Sequence, residues 1–441
     1  MARKKTGPET AEIAAVTHDG RGIATLQGKK VFIAGALAGE TVRFQRRKRR
    51  RNYDEAELLE VLQASSERVA PRCAVFGTCG GCSLQHQSQE TQRRIKFDAL
   101  KDAMLRIGGV TPDAWLPPLY DDAPDGGWNY RRRARLAVKD VPAKGRVLVG
   151  FRERHAPYVA DMQRCETLSA PVDGMLVALS ELISTLSIRA RLPQIEVAVG
   201  DAQTRLVFRV LDPPSSTDLE ILCRFAEAQK VTVALQSAGP DSVQDLHPAT
   251  PEPLYYRLPD HDVTLHFEAT DFVQVNAEIN RRMVNLALDL LAPEPADRVL
   301  DLYCGIGNFS LPLARRAGQI LGIEGEQRQV ERATANARLN GIDNATFLTA
   351  DLAAITGRED WLQATWQRVL LDPARSGALE VVQHIDRIKP QRIVYVSCHP
   401  ATLARDAAEL TRHGYAVSSA GIIDMFPHTA HVESIAVFEK K

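Results

Sequence analysis

From residue 297 onward the chain repeats one pattern: a short apolar run, a polar loop, then a stretch with helical spacing. DRVLDLYCGIGNFSLPLARR, GQILGIEG, ATFLTAD, QRVLLDPARSG and QRIVYVSCHP all read this way, and a last run, ESIAVFEK, follows them. Apolar runs separated by helices specify a mostly parallel, doubly wound sheet, because parallel neighbours need a long crossover between them. In such sheets ligands sit beyond the carboxyl ends of the strands. Each polar motif in the series follows its apolar run, so all of them gather at that one edge.

The first motif, VLDLYCGIGNFSLPLA, carries Gly305 and Gly307, which let the backbone turn tightly and approach a ligand before the next helix. A dinucleotide is the competing ligand. The loop reads DxxCGxG rather than the GxGxxG of dinucleotide folds, which favours S-adenosylmethionine. Glu324 ends the next run in LGIEG, suited to ribose hydroxyls. Asp351, after TFLTAD, could receive the adenine end, and Asp372 in LLDPARSG faces the reacting side. Cys304 within the loop is expected to pack rather than react.

VSCHPATLARD places Cys398 at the end of another apolar run. Alone, such a cysteine reads as a small buried hydrophobe. Beside a methyl-donor loop it suggests covalent catalysis on a pyrimidine. Uracil C5 is a poor nucleophile; thiolate addition at C6 turns C5 into an enolate carbon able to attack a sulfonium methyl. The C5 proton must then leave to a general base, and Glu433 in HTAHVESIAVF is the candidate. A cytosine-C5 enzyme would be expected to carry a Pro-Cys pair, whereas Cys398 follows Ser397. His399, His428 and His431 lie near this site and receive no role.

A second cysteine group, Cys73, Cys79 and Cys82 with Cys165 far downstream, has the composition of a metal site. Zinc ribbons use two CxxC pairs and only one is present, so the spacing favours a [4Fe–4S] cluster over zinc. Cys223, among apolar neighbours of STDLEILCRFAEAQ, reads as core. No apolar run approaches the roughly 18 residues of a membrane span. The polar start, MARKKTGPETAE, has no signal-peptide core, so a reducing cytoplasm is expected.

Lysine plus arginine balance aspartate plus glutamate at 55 each, which hides an asymmetry: residues 1–110 hold 20 basic and 12 acidic side chains. Six consecutive cations run from Arg46 to Arg51, and NYRRRAR sets Arg131, Arg132, Arg133 and Arg135 beside Tyr130. Single runs of this kind are often solvated faces. Two, one with aromatics, suggest a polyanion surface. The basic run lies among short β-rich runs over residues 8–66, which suggest a small antiparallel barrel. DGRGIA and ALAGETV within it resemble a TRAM domain, an oligonucleotide-barrel-like RNA-binding module.

Over nearly its whole length the chain closely resembles the RNA (uracil-5-)-methyltransferases. DFVQVN (271–276), DLYCGIGNF (301–309), LLDPARSG (370–377), VSCHPATLARD (396–406) and HVES (431–434) carry the resemblance. It implies an α/β fold in three parts: a TRAM-like barrel over 8–66, a middle α+β iron–sulfur domain over 67–270, and a Rossmann-like S-adenosylmethionine-dependent domain over 271–441. The helix near 88–107 would be free to pack on the last of these. It further implies Cys398 as nucleophile and Glu433 as base, with Gln274, Tyr303, Asn308, Glu324, Asp351 and Asp372 around S-adenosylmethionine. Cys73, Cys79, Cys82 and Cys165 would ligate a [4Fe–4S] cluster. The implied partner is 23S ribosomal RNA, methylated at C5 of one uridine by a cytoplasmic monomer with no obligate protein partner. Two alternatives stay open: the same chemistry on transfer RNA, and a non-catalytic iron–sulfur RNA-binding assembly factor.

Overall fold

The computed structural model describes residues 7–441; the first six residues of the polar N-terminal start lie outside it. The N-terminal part is a six-stranded sheet ordered Glu9–Glu12, Thr41–Arg49, Tyr53–Gln63, Lys29–Ala34, Arg21–Leu26, Ala15–Val16. It curls around a small core that includes Ile13, Val31, Ile33, Val42 and Phe44. Gln27 and Gly28, both at positive φ (51° and 77°), join Arg21–Leu26 to Lys29–Ala34. A two-residue turn of that kind matches the twist of the strands it links.

The middle sheet is ordered Val243–His247, Thr232–Gln236, Thr204–Arg209, Gln194–Val199, Arg133–Val141, Arg146–Gly150. Helices Leu176–Thr185 and Ser216–Gln229 cover one face of it. Ser215 caps the second helix: its Oγ accepts the Asp218 amide at 3.1 Å while the Asp218 carboxylate accepts the Ser215 amide at 2.9 Å. Cys223 on this helix is only partly buried, which corrects its reading as core. Leu222 and Ala226 define the inward stripe, and one further residue turns the side chain about 100° away.

The C-terminal sheet has eight strands: Ala345–Thr349, Gln319–Glu324, Arg298–Leu302, Arg368–Leu371, Arg392–Ser397, Glu433–Lys440, Tyr415–Ile423 and Ala114–Trp115. The first five are parallel; Glu433–Lys440 runs antiparallel to both neighbours. Two earlier segments join this unit. The hairpin of Leu254–Leu258 and Val263–Phe267 shares its apolar core with helix Ala277–Leu291, so a boundary at 271 passes between packed elements. Helix Gln89–Ala103 buries Leu100 and Ala103 against the sheet's other face. On that helix Lys96, fully buried, donates to Asp424 Oδ1 at 2.6 Å and to the Phe426 carbonyl at 2.9 Å. Removing one partner of such a pair costs roughly 3–5 kcal/mol, because the other charge stays buried alone. Among the described residues no helix is long and apolar enough to cross a membrane.

Candidate active site

The strand ends of the C-terminal sheet open into a pocket of about 550 Å³. Strand Arg298–Leu302 ends at Tyr303, whose φ of 66° turns the chain sharply into the glycine loop. The Gly305 amide donates to Glu324 Oε2 at 3.1 Å. Glu324 Oε1 accepts the amide of Gly325 at 2.8 Å and that of Glu326 at 3.2 Å. The loop and the next strand end are therefore held by one carboxylate. Asn308 exchanges two 2.9 Å hydrogen bonds with Asn280 and accepts one from the Tyr256 hydroxyl at 2.9 Å. Cys304 is buried, with its Sγ packed close to Gly322, as expected. Below the loop, fully buried Asp301 accepts from Ser310 Oγ and has its Oδ1 without a partner. Burial, with the Asp372 and Glu324 charges, pushes Asp301 up to about 7.

Gln274, Tyr303, Asn308, Glu324 and Asp372 all line this pocket, and Phe272 stands largely exposed at its mouth. Asp351 does not line it: the side chain is exposed and accepts the Ala353 amide at 2.9 Å. The structure adds Tyr256, Asn280 and Asp301, none of which is expected at the site from sequence. Asn280 is a buried polar residue on the apolar stripe of helix Ala277–Leu291. A polar break in such a stripe is the one sequence signal for it.

Cys398 and Glu433 meet at the same edge through sheet register. Strands Arg392–Ser397 and Glu433–Lys440 pair as far as Ser397 with Ser434, and the next step sets Cys398 beside Glu433. Both line the pocket with Asp372, Arg375 and His431. Arg375 donates to His431 Nδ1 at 2.9 Å. Burial pushes the Cys398 thiol up to about 11, aided by the Glu433 and Asp372 charges and opposed by Arg375. Burial and Asp372 raise Glu433 well above the carboxylate range, again against Arg375. Burial alone lifts Asp372 to about 7. Several acids so close together, raised despite the Arg375 charge, suit a ligand that brings a further positive charge.

Cys398, Arg375 and His431 also line a second, open groove of about 810 Å³. Its walls come from Thr17 and His18 of the N-terminal sheet, Gly80–Ser83 of the cysteine segment, and Asp98 and Asp102 of helix Gln89–Ala103. Cys398 thus borders both cavities.

Cys73, Cys79, Cys82 and Cys165, all free thiols, line a third cavity of about 250 Å³, which shares Arg131 and His431 with the strand-end pocket. Burial raises Cys73, Cys79 and Cys82, the last to about 12, and in each case the neighbouring thiols add to the rise. Among the described residues no group of three or more His, Cys, Asp or Glu side chains is drawn close enough to hold a single metal ion.

The basic run Arg46–Arg51 does not form the free cationic face expected of it. It lies on strand Thr41–Arg49 and the turn after it, beside acidic strand Tyr53–Gln63. Arg46 is mostly buried, pairing with Glu9 at 2.8 Å and with Asp54. Arg47 pairs with Glu57, and Lys48 and Arg50 approach Glu55 at 3.7 and 3.9 Å. Cross-strand register brings an acid to most of these cations.

A family model described as tRNA (Uracil-5-)-methyltransferase matches residues 252–441. Over the full chain the protein is 51% identical to a 23S rRNA (uracil(1939)-C(5))-methyltransferase RlmD from Alkalilimnicola ehrlichii, covering 98% of that protein. It is 49% identical over 98% of its length to the enzyme of the same name from Methylococcus capsulatus, covering 97% of it. Among solved structures, the Pyrococcus abyssi tRNA (uracil-54, C5)-methyltransferase in complex with S-adenosyl-L-homocysteine superposes with a TM-score of 0.76. That match covers 97% of this chain and 99% of the other at 23% identity, and it establishes a shared fold.

Proposed function

The chain belongs to the RNA uracil-C5 methyltransferases, and from that premise we propose that it methylates C5 of one uridine in 23S ribosomal RNA. S-Adenosylmethionine supplies, when bound, an electrophilic methyl group on a cationic sulfonium. The glycine loop and the acid-rich lining, with Glu324, Asp372 and Glu433, fit that cation. Gln274, Tyr303, Asn308, Glu324 and Asp372 would hold it, with Asp351 at the rim beyond the pocket wall. The observation that carries the reading is Cys398 bordering both the strand-end pocket and the open groove, with Glu433 beside it.

RNA enters by the groove. Its target base leaves the stack to reach the thiol, as enzymes acting on bases require. Cys398 sulfur bonds to uracil C6, and C5 gains the electron pair with which it takes the methyl group, whose bond to the sulfonium would break to leave a neutral thioether. Glu433 removes the C5 proton; the C5–H electrons restore the double bond, the C6–S bond breaks, and the thiolate returns to Cys398. Burial raises both Cys398 and Glu433 in the free protein. A cation bound beside them favours their ionised forms and readies both groups.

The four thiols round the third cavity would hold a [4Fe–4S] cluster. Their donor chemistry suits it, and a cluster sets its thiolates farther apart than a single ion does. Its place beside the groove suggests a structural part in shaping the RNA site. The curled N-terminal sheet would act as the TRAM-like RNA-binding module. In this reading the protein is a monomer working on ribosomal RNA in the cytoplasm.

Methyl incorporation into 23S RNA fragments and bulk transfer RNA, assayed side by side, tests the substrate. Incorporation confined to 23S RNA is expected. Incorporation confined to transfer RNA would overturn the ribosomal assignment and favour the activity named for the solved relative.

A further inference from the structure

Residues 424–432 connect strand Tyr415–Ile423 to Glu433 and carry His431. This loop is held largely from outside the sheet. His428, buried with φ at 65°, is its hub. The His428 amide donates to Gln92 Oε1 at 2.8 Å, and its ring stacks on Trp128 at 3.7 Å. The His428 carbonyl accepts the amides of Ser83 and Leu84 at 2.9 and 3.0 Å. Gln92 Nε2 donates to the Leu84 and Gln87 carbonyls at 3.1 and 3.0 Å, so both ends of that buried amide are committed. One turn along the helix, Lys96 binds Asp424 and the Phe426 carbonyl.

We infer that Gln92 and Lys96 are positioning residues for the proposed base Glu433, acting through loop 424–432 without touching the reacting atoms. The inference rests on the reading of Cys398 and Glu433 given above. Two polar side chains four residues apart face the same way on a helix, and these two are 0–1% exposed. Apolar packing alone would hold the helix against the sheet, since hydrophobic replacements of buried ion pairs are often as stable or more so. Hydrogen bonds add direction. Here they fix the loop backbone at both its start and its middle, a few residues before Glu433 emerges.

Displacing Glu433 alone has a specific consequence. The S–C6 bond still forms and C5 still accepts the methyl group, but the C5 proton stays, so the C6–S bond cannot break. The covalent complex then accumulates on ordinary uridine. Replacing that proton with fluorine removes the need for a base, so trapping by 5-fluorouridine RNA is spared.

Gln92→Met and the paired Lys96→Met/Asp424→Asn reach the loop through different bonds without leaving a lone buried charge. In the full-length holoprotein, turnover is expected to fall about tenfold to a hundredfold, part of the roughly 10²–10⁴-fold that a placed base contributes. Trapping of 5-fluorouridine RNA should stay close to wild type, and a denaturing gel should show adduct on unmodified RNA, as with Glu433→Gln. Unchanged turnover, or turnover and fluorouridine trapping lost together, would overturn the inference; two variants that both fail to fold would make the clamp structural and overturn it as well. A wild-type protein that traps nothing would overturn the covalent reading and this inference with it.

Discussion

The strand-end pocket and the cysteine cavity share a wall at Arg131 and His431, yet they are built in opposite ways. Parallel strands and the amides between them shape the pocket; Glu324 is fixed by three backbone N–H groups, and Cys398 meets Glu433 through register. The cavity is walled mostly by irregular chain, with isolated bridges such as Phe76 to Cys79 and Cys79 to Glu153. Its four thiols come from two distant stretches of sequence. The pocket carries its own scaffold, whereas the cavity has little regular structure around it.

The largest effect should fall on the pocket's chemistry and spare its scaffold. Cys398→Ala is expected to reduce methyl transfer to background while S-adenosylmethionine binding, read by calorimetry, stays within about threefold. Tenfold weaker binding, about 1.4 kcal/mol, would mean that the thiol also supports the pocket. Next comes the cavity. Stripping metal from the holoprotein with a chelator should lower amide protection across residues 73–87 by about tenfold or more, with the strands 298–302 and 319–324 unchanged. Equal loss in both regions would erase the distinction between them.

A smaller effect concerns pH. Asp372 and Asp301, raised to about 7 in the folded protein, keep protons there that the unfolded chain has already lost. Between the ordinary carboxyl range and about 7 the free protein therefore loses stability as pH rises, since folding takes up protons. Binding a cation reverses the preference and releases them. Affinity for S-adenosylmethionine should rise with pH up to about 7, by at most about tenfold per pH unit per proton released. Asp372→Asn should flatten that rise, and a variant with the wild-type slope would remove Asp372 from the linkage.

The smallest effect belongs to the basic run. On single-stranded RNA, each phosphate that the protein stops neutralising lowers the salt slope by about 0.7. Replacing Arg47, Lys48, Arg50 and Arg51 with alanine should change the slope by less than half of the roughly 2.8 that four free cations would give. Arg46→Ala should act on stability instead, by about 1–3 kcal/mol, because it leaves Asp54 buried with one partner fewer. A full loss of slope would show that RNA displaces the facing acids.

That last case marks where sequence stops being legible. The run of six cations is plain in the chain, but its neutralisation depends on Glu9, 37 residues before Arg46, and on acids set opposite by bulged pairing. The strand-end motifs are readable because a parallel sheet sends every such loop to one edge. Asp351 sits at its strand end too, but with its side chain turned outside the pocket. Gln92, Lys96 and His428 are not readable: their partners lie 328–336 residues apart, and a lysine on a helix ordinarily signals solvent. Asn280 and Tyr256 belong to elements with no motif: a polar break in an apolar stripe is the one hint of Asn280, and Tyr256 shows itself only through the pocket wall and its hydrogen bond to Asn308.

The central claim is a covalent route through Cys398. Its most direct test mixes the protein and S-adenosylmethionine with a 23S RNA fragment carrying 5-fluorouridine, followed on a denaturing gel. A shifted band that requires both the cofactor and Cys398, and is absent from Cys398→Ala, is the predicted result. Methylation of the ordinary fragment with no Cys398-dependent band on the fluorinated one would contradict it.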